Sequence, residues 1–478
     1  MSSAILLSVF FAYVLFLFVI SWITSRKAND KTFYTGNRQS PWFVVAYGMI
    51  GASLSGVTFL SQPGWVGSTH FSYIMVVFGY LVGYAVIALV LLPLYYRLNL
   101  TTIYTYLVQR FGYFTYKTGA SFFIISRVMG AALRLFLVIF VLDIFVFGPL
   151  GIPFWLLTLL TITLILLYTF RGGIRTIVWT DTLQTTFMLL SVVITIVFIC
   201  KSLGWNFSGM VSNVWKSDYS QMFITDWTDR GFFLKQFLSG IFISIAMTGL
   251  DQDMMQKNLS CRNLRDAQKN MFTFSWVLVF VNFMFLFLGA LLYFYASANN
   301  IPTEPSDSLF ANISIHHLAP AAGIIFFIGL IAAAWSSADG ALTALTTSFC
   351  IDIIGLDKRA LPDQRKARIR YAVHFSFALL FLLVIIQVKQ LNNTAIIDQV
   401  FTVAGYTYGP LLGLFSFGLF TKWQVRDRAV PIIAIASPVI CFILDSNSVQ
   451  WLNGYQFGFE LLILNGLITF AGLWLCRK

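Results

Sequence analysis

Charge is scarce in this chain. Of its 478 residues only 10% are Asp, Glu, Lys or Arg, while 58% are hydrophobic. Soluble domains carry about 25% charged residues, so a water-facing domain of any size is excluded. Reactive side chains are scarce too. The five cysteines, Cys200, Cys261, Cys350, Cys441 and Cys476, are scattered and form no CxxC, which speaks against a disulfide framework or a zinc site. Of the four histidines, His316 and His317 adjoin in a polar loop and read as solvated. There is no phosphate-binding loop, no HExxH and no nucleophile elbow, so an enzyme is not expected. Nor does any segment repeat in the way a channel filter requires.

What the chain has instead is long apolar runs. About thirteen segments reach the roughly 20 residues needed to cross a bilayer. They begin with 4–24, continue through 42–200 and 232–420, and end with two more within 429–475. The first run lacks a basic leader and is followed by a basic loop, so it reads as a retained helix, not a cleaved signal. The expected architecture is an all-α, multi-pass membrane protein forming one transmembrane domain over 1–478. Only Cys476, Arg477 and Lys478 follow the last run, and no appended signalling region is expected.

The net charge of +12 does not point to nucleic acid, because of where the charges lie. Of the 31 Lys and Arg, 24 fall in alternate connections (25–41, 96–117, 171–175, 251–270, 353–370, 421–428) and the C-terminal tail. Five fall on the opposite side, and Arg127 and Arg134 lie inside a span. The positive-inside rule then puts the N-terminus outside and the C-terminus in the cytoplasm. The partner of this surface is the lipid bilayer; no nucleic acid and no obligatory protein partner is implied.

Two spans are interrupted. Residues 48–64 hold four glycines, three serines, a threonine, Gln62 and Pro63. Glycine and hydroxyl residues there disfavour a continuous helix, and Pro63 removes a backbone donor. The segment near 232–252 carries Gly240, Thr248 and Gly249 before Asp251-Gln252-Asp253. Unwound backbone at membrane depth is tolerated only where it is buried or lines a cavity, and paired interruptions in two halves are the mark of a transporter built on inverted repeats. The alternative is a pair of glycine-rich helices in close packing.

Intramembrane carboxylates are the third signal. "AAAWSSADG" (332–340) sets Ser336, Ser337 and Asp339 inside an apolar run, and Asp181 stands about two turns into another. A carboxylate at that depth needs a partner. Arg175 at the cytoplasmic end is one candidate partner for Asp339. The other reading is a cation path.

These residues resemble the sodium:solute symporter family, which includes sodium-coupled sugar, proline, iodide and sialic acid transporters. The resemblance is carried by "GASLSGVTFL" (51–60), "YYRLNLTTIYTYLVQRFG" (95–112), "FRGGIRTIVWTDTLQ" (170–184), "GLDQDMMQKNLSCRNLRDA" (249–267), "AAAWSSADGALTALTTSFCIDII" (332–354) and "AGYTYGPLLGLFSFGLF" (404–420), in this order and spacing. It implies a LeuT-type fold of two inverted five-helix repeats, 42–200 and 232–420, preceded by one helix and followed by two. It implies Na+ as the coupling ion and a small organic solute as cargo, carried across the plasma (inner) membrane.

By the same resemblance the central sodium ligands are the carbonyls of Gly51, Leu54 and Ala333 and the hydroxyls of Ser336 and Ser337. The residue chemistry agrees, since Ala333 and Ser337 are i and i+4 on one helix face, and neutral oxygens suit a monovalent ion that must be released. Asp181 matches the carboxylate of a second cation position found in some relatives. There the partners are hydroxyl residues; here they are Asp339 and Gly340, so that Asp181 and Asp339 are expected to share sodium or a proton. Ser55, Thr58 and Gln62 are the solute-binding candidates at the broken helix, and Arg127 is the candidate for a carboxylate, with Arg134 one heptad later as the alternative. A carboxylate-bearing sugar such as sialic acid is the leading solute; a neutral sugar or a proline-like amino acid is the alternative.

Overall fold

The computed structural model describes residues 3–25, 30–170, 173–303, 306–391 and 396–478. Arg26, Lys27 and Arg171, counted above for orientation, lie outside the described residues. The apolar runs become helices because, in lipid, each backbone N–H and C=O must be paired within its own segment. In chain order they are α1 (Ser3–Ser25), α2 (Trp42–Thr69), α3 (Ile74–Arg97), α4 (Tyr113–Leu150), α5 (Phe154–Thr169), α6 (Ile174–Ser202), α7 (Phe233–Gly249), α8 (Gln252–Leu259), α9 (Leu264–Ala298), α10 (Pro320–Ile353), α11 (Asp363–Leu391), α12 (Ile396–Phe420), α13 (Val430–Trp451) and α14 (Leu461–Leu475). Among the described residues ten helices are long and apolar enough to cross a membrane, and α7 with α8 forms an eleventh, broken span bent by 66°. The chain is a multi-pass integral membrane protein. Helices α5 and α14 are apolar but shorter, at 16 and 15 residues.

Burial sorts the helices into an inner and an outer set. The most apolar stretches of α2 and α10 are 78% buried, against 33% for α1, 28% for α11 and 22% for α13. Helix α2 packs against α6, α9 and α10, and α10 packs in turn on α4 and α6. The interrupted helix therefore stands at the centre of the molecule, surrounded by the helices that carry Arg127, Asp181 and Ser336.

Both expected interruptions are present; the second follows Gly249, as the sequence suggests, while Pro63 and Gly240 do not break their helices. In α2 the break is at Ser55, with φ 49° and ψ 174°. A non-glycine residue at positive φ is uncommon and costs local strain. The helix then runs on through Pro63 to Thr69. Pro63 serves close packing instead: a Cβ on Gly289 of α9 would lie 2.6 Å from the Pro63 carbonyl oxygen. The second break falls between Gly249 and Gln252, where Asp251 caps α8 by accepting N–H bonds from Asp253 (2.9 Å) and Met254 (3.2 Å). Gly240 does not break α7. A Cβ there would lie 2.8 Å from the Val76 carbonyl carbon, so Gly240 lets α7 and α3 meet backbone to backbone.

Candidate functional site

The break in α2 faces the middle of α10. Ser336 Oγ donates to the carbonyl oxygens of Gly51 (3.2 Å) and Ala333 (3.3 Å). Ser337 Oγ is buried, and no hydrogen bond to it is found. The reversed φ at Ser55 interrupts the helical ladder immediately after Leu54. The Ser336 hydroxyl and the carbonyls of Gly51 and Ala333 thus meet at one buried spot between two helices. The Ser336 hydroxyl donates to these carbonyls, and by rotating it can turn its lone pairs towards the same spot. Gly51 is also held from the other side, its N–H donating to Thr185 Oγ1 at 3.1 Å, while Thr185 donates to the Asp181 carbonyl at 2.7 Å.

A cavity of about 80 Å³ opens beside the break. Its wall is rich in hydroxyls: Ser53, Ser55 and Thr58 of α2, Tyr73, Tyr80 and Tyr84 at α3, and Ser244 and Thr248 of α7, with Asn282 of α9. Leu54 belongs both to this wall and to the candidate ion ligands. Beyond the cavity lies a wider vestibule of about 340 Å³ that shares Tyr73 and Phe401 with it. Those two rings stand 6.5 Å apart, between the two spaces.

Two expected contacts fall elsewhere. Gln62 is buried but outside the cavity wall, and its amide donates to the Asn282 carbonyl at 3.4 Å. Arg127 does line the cavity, yet its guanidinium is already engaged. It pairs with Asp253 and lies 3.7 Å from Asp251. The Arg127 partners come from α8, on the far side of a helix break, and no local pattern in α4 announces them. Arg134 lines the same cavity and makes no ion pair among the described residues.

Asp181 and Asp339 are both fully buried. Arg175 is exposed and does not partner Asp339. Asp339 instead accepts from Tyr168 O–H (2.6 Å) and from the Gly340 N–H (2.6 Å). Asp181 meets a residue the sequence reading assigned to a cytoplasmic loop: Lys257 Nζ lies 2.8 Å from Asp181 Oδ2 and 3.6 Å from Asp253 Oδ1, with Lys257 only 1% exposed. The Asp253–Lys257 spacing, i to i+4, was the available signal, but it looks the same on a solvated helix.

Known proteins share this fold. The sequence profile of the sodium:solute symporter family matches residues 33–429. The sodium/sialic acid symporter of Aliivibrio fischeri is 23% identical over 462 residues, covering 93% of this chain and 88% of its own. The sodium/sialic acid symporter of Proteus mirabilis is 23% identical over 465 residues, covering 94% and 91%. A substrate-bound, outward-open structure of a Na+-coupled sialic acid symporter superposes with a TM-score of 0.82 at 20% identity, over 99% of both chains. This chain, with both of its broken helices inside the matched stretch, belongs to the sodium:solute symporter family.

Proposed function

We propose that the protein imports a carboxylate-bearing sugar of the sialic acid class, driven by inward sodium, through alternating access. One observation carries the reading: a hydroxyl-walled cavity lined by the guanidinium of Arg134, which has no ion-pair partner among the described residues, shares Leu54 with the cluster of oxygens from Gly51, Ala333, Ser336 and Ser337. A polyol acid needs such a wall, because each buried hydroxyl of the solute must find a partner and a planar guanidinium suits a carboxylate. A neutral sugar or amino acid side chain would leave Arg134 facing the cavity without a counter-charge. The sodium/sialic acid symporters among the relatives favour the same solute.

Sodium binds among those four oxygens and the Leu54 carbonyl. It ties α2 to α10 more firmly than the single Ser336 hydroxyl does, and it fixes the backbone of residues 51–55 that forms one wall of the solute cavity. Ion and solute thus stabilise the same state, which is what coupling requires. Ser55 and Thr58 contact solute hydroxyls. Tyr73 and Phe401 close over the solute on the vestibule side. Release follows when the inner halves of the broken helices move away from Ser336 and Ser337.

In this reading all thirteen expected spans cross the plasma (inner) membrane, with the N-terminus outside and the C-terminus inside. At about 1.5 Å per residue the cores of α5 and α14 reach roughly 24 Å and cross with help from their flanking turns. Helices α2–α6 and α7–α12 form the two inverted repeats, each opening on its broken member. The protein acts as a transporter and not as an enzyme, and needs no protein partner. Thermal stabilisation of the purified protein by N-acetylneuraminic acid, dependent on sodium and absent with uncharged hexoses, tests the solute assignment; stabilisation by hexoses alone would overturn it.

A further inference from the structure

Lys257 is the most unusual side chain in the protein. Lysine ordinarily keeps its ammonium in water, yet every residue of α8 is buried. An ammonium is held in such a place only by paired carboxylates. It has them: Asp181 from α6 and Asp253 from its own helix.

The neighbouring sequence is fitted to this arrangement. A Cβ on Gly340 would stand 2.5 Å from Asp253 Oδ1 and 3.0 Å from Oδ2. Only glycine at 340 leaves room for the Asp253 carboxylate that reaches Lys257. Gly48 does the same for Asp181, whose Cβ would lie 3.0 Å from any Cβ added there. Asp181 has no hydrogen-bond donor among the described residues, so the Lys257 ammonium is its close counter-charge. The other carboxylates have donors: Asp339 has Tyr168 and Gly340, Asp253 has Arg127, and Asp251 has Tyr408 and the N-terminal N–H groups of α8.

We propose that the Lys257 ammonium is a tethered counter-cation that permanently fills the position between Asp181 and Asp253, so that only the central site takes sodium and one sodium moves with each solute. The inference rests on the sodium-symport reading above and adds its stoichiometry. A mobile ion at Asp181 would be released to the cytoplasm each cycle. A charge fixed to α8 instead stays with the protein through the whole cycle and carries no net ion across.

The test is a count of 22Na+ bound at saturation by the purified full-length chain. The proposal expects one sodium per chain in the unaltered protein, two in Lys257→Met, where Asp181 and Asp253 recruit an ion in place of the ammonium, and one in Lys257→Arg. Two sodium ions on the unaltered protein overturn the proposal, as does a folded Lys257→Met that still binds one; a merely structural ion pair would give that last result. No bound sodium on the unaltered protein overturns the sodium-symport reading itself. If Lys257→Met does not fold, the count on the unaltered protein still decides, since two would refute a filled position. A double variant, Lys257→Met with Asp181→Asn, leaves no orphan charge at position 181 and is expected to bind one.

Discussion

Arg134 and Arg127 stand one heptad apart on α4, and both line the solute cavity, so replacing each in turn separates their roles. Arg134→Gln removes the one cavity guanidinium without an ion-pair partner among the described residues. A desolvated carboxylate that loses its guanidinium forfeits about 3 kcal/mol, the lower-middle of the range for truncated buried charge pairs. That corresponds to a loss on the order of 100-fold in affinity. Arg134→Lys keeps the charge but loses the fork, with an expected loss of about tenfold. Arg127→Gln leaves Asp253 and Asp251 without their shared cation, which is expected to cost about 3–5 kcal/mol of stability, with solute affinity affected only through folding. The assay is N-acetylneuraminic acid uptake into proteoliposomes at saturating sodium, paired with thermal unfolding in detergent. Unchanged solute affinity in a folded Arg134→Gln would refute the assignment, and a folded Arg127→Gln that loses solute binding would transfer the role to Arg127.

Replacing Ser336 and Ser337 together by Ala removes two neutral ligands at about 1 kcal/mol each. Sodium affinity is expected to fall by roughly 10- to 100-fold with little change in unfolding temperature, as read by sodium titration of uptake; unchanged sodium activation would remove the site from these residues. Gly51→Ala would push a Cβ to 3.3 Å from both Cα and Cβ of Thr185. The expected cost is about 1–3 kcal/mol from overpacking, seen as weaker sodium activation and lower thermal stability, whereas a wild-type profile would show that α2 and α6 can separate there freely. Asp339→Asn keeps the size of the side chain and an acceptor for Tyr168. The ratio of 22Na+ to solute transported is expected to be unchanged, because Lys257 already supplies the neighbouring positive charge; a lower ratio would put a transported ion at Asp339.

The spans and both interruptions were legible because hydropathy and the residues that break helices act locally. The exact break points were not. Pro63 and Gly240 look like breakers, yet they serve close packing against α9 and α3, while the break fell on Ser55, whose strain is held by surrounding contacts. The meeting of Ser336 with Gly51 follows the ligand set that the family resemblance implies, whose members at 333 and 337 share a face at i and i+4 whatever surrounds them. Arg127 and Arg134 could not be told apart, since seven residues bring a helix nearly back to the same face, and what separates them is Asp253 arriving from α8. Lys257 was hidden for the same reason. The stretch "DQDMMQKNL" (251–259) is polar enough to read as a loop, and only its packing beneath α10 turns a surface lysine into a buried cation.

The most direct test of the account is uptake into sealed proteoliposomes containing only this protein. With sodium high outside and potassium inside, labelled N-acetylneuraminic acid is predicted to accumulate above its external concentration. That accumulation should collapse when the sodium gradient is dissipated. Equal uptake in potassium alone, or no uptake of the sugar acid while a neutral sugar or amino acid is driven by sodium, would contradict it.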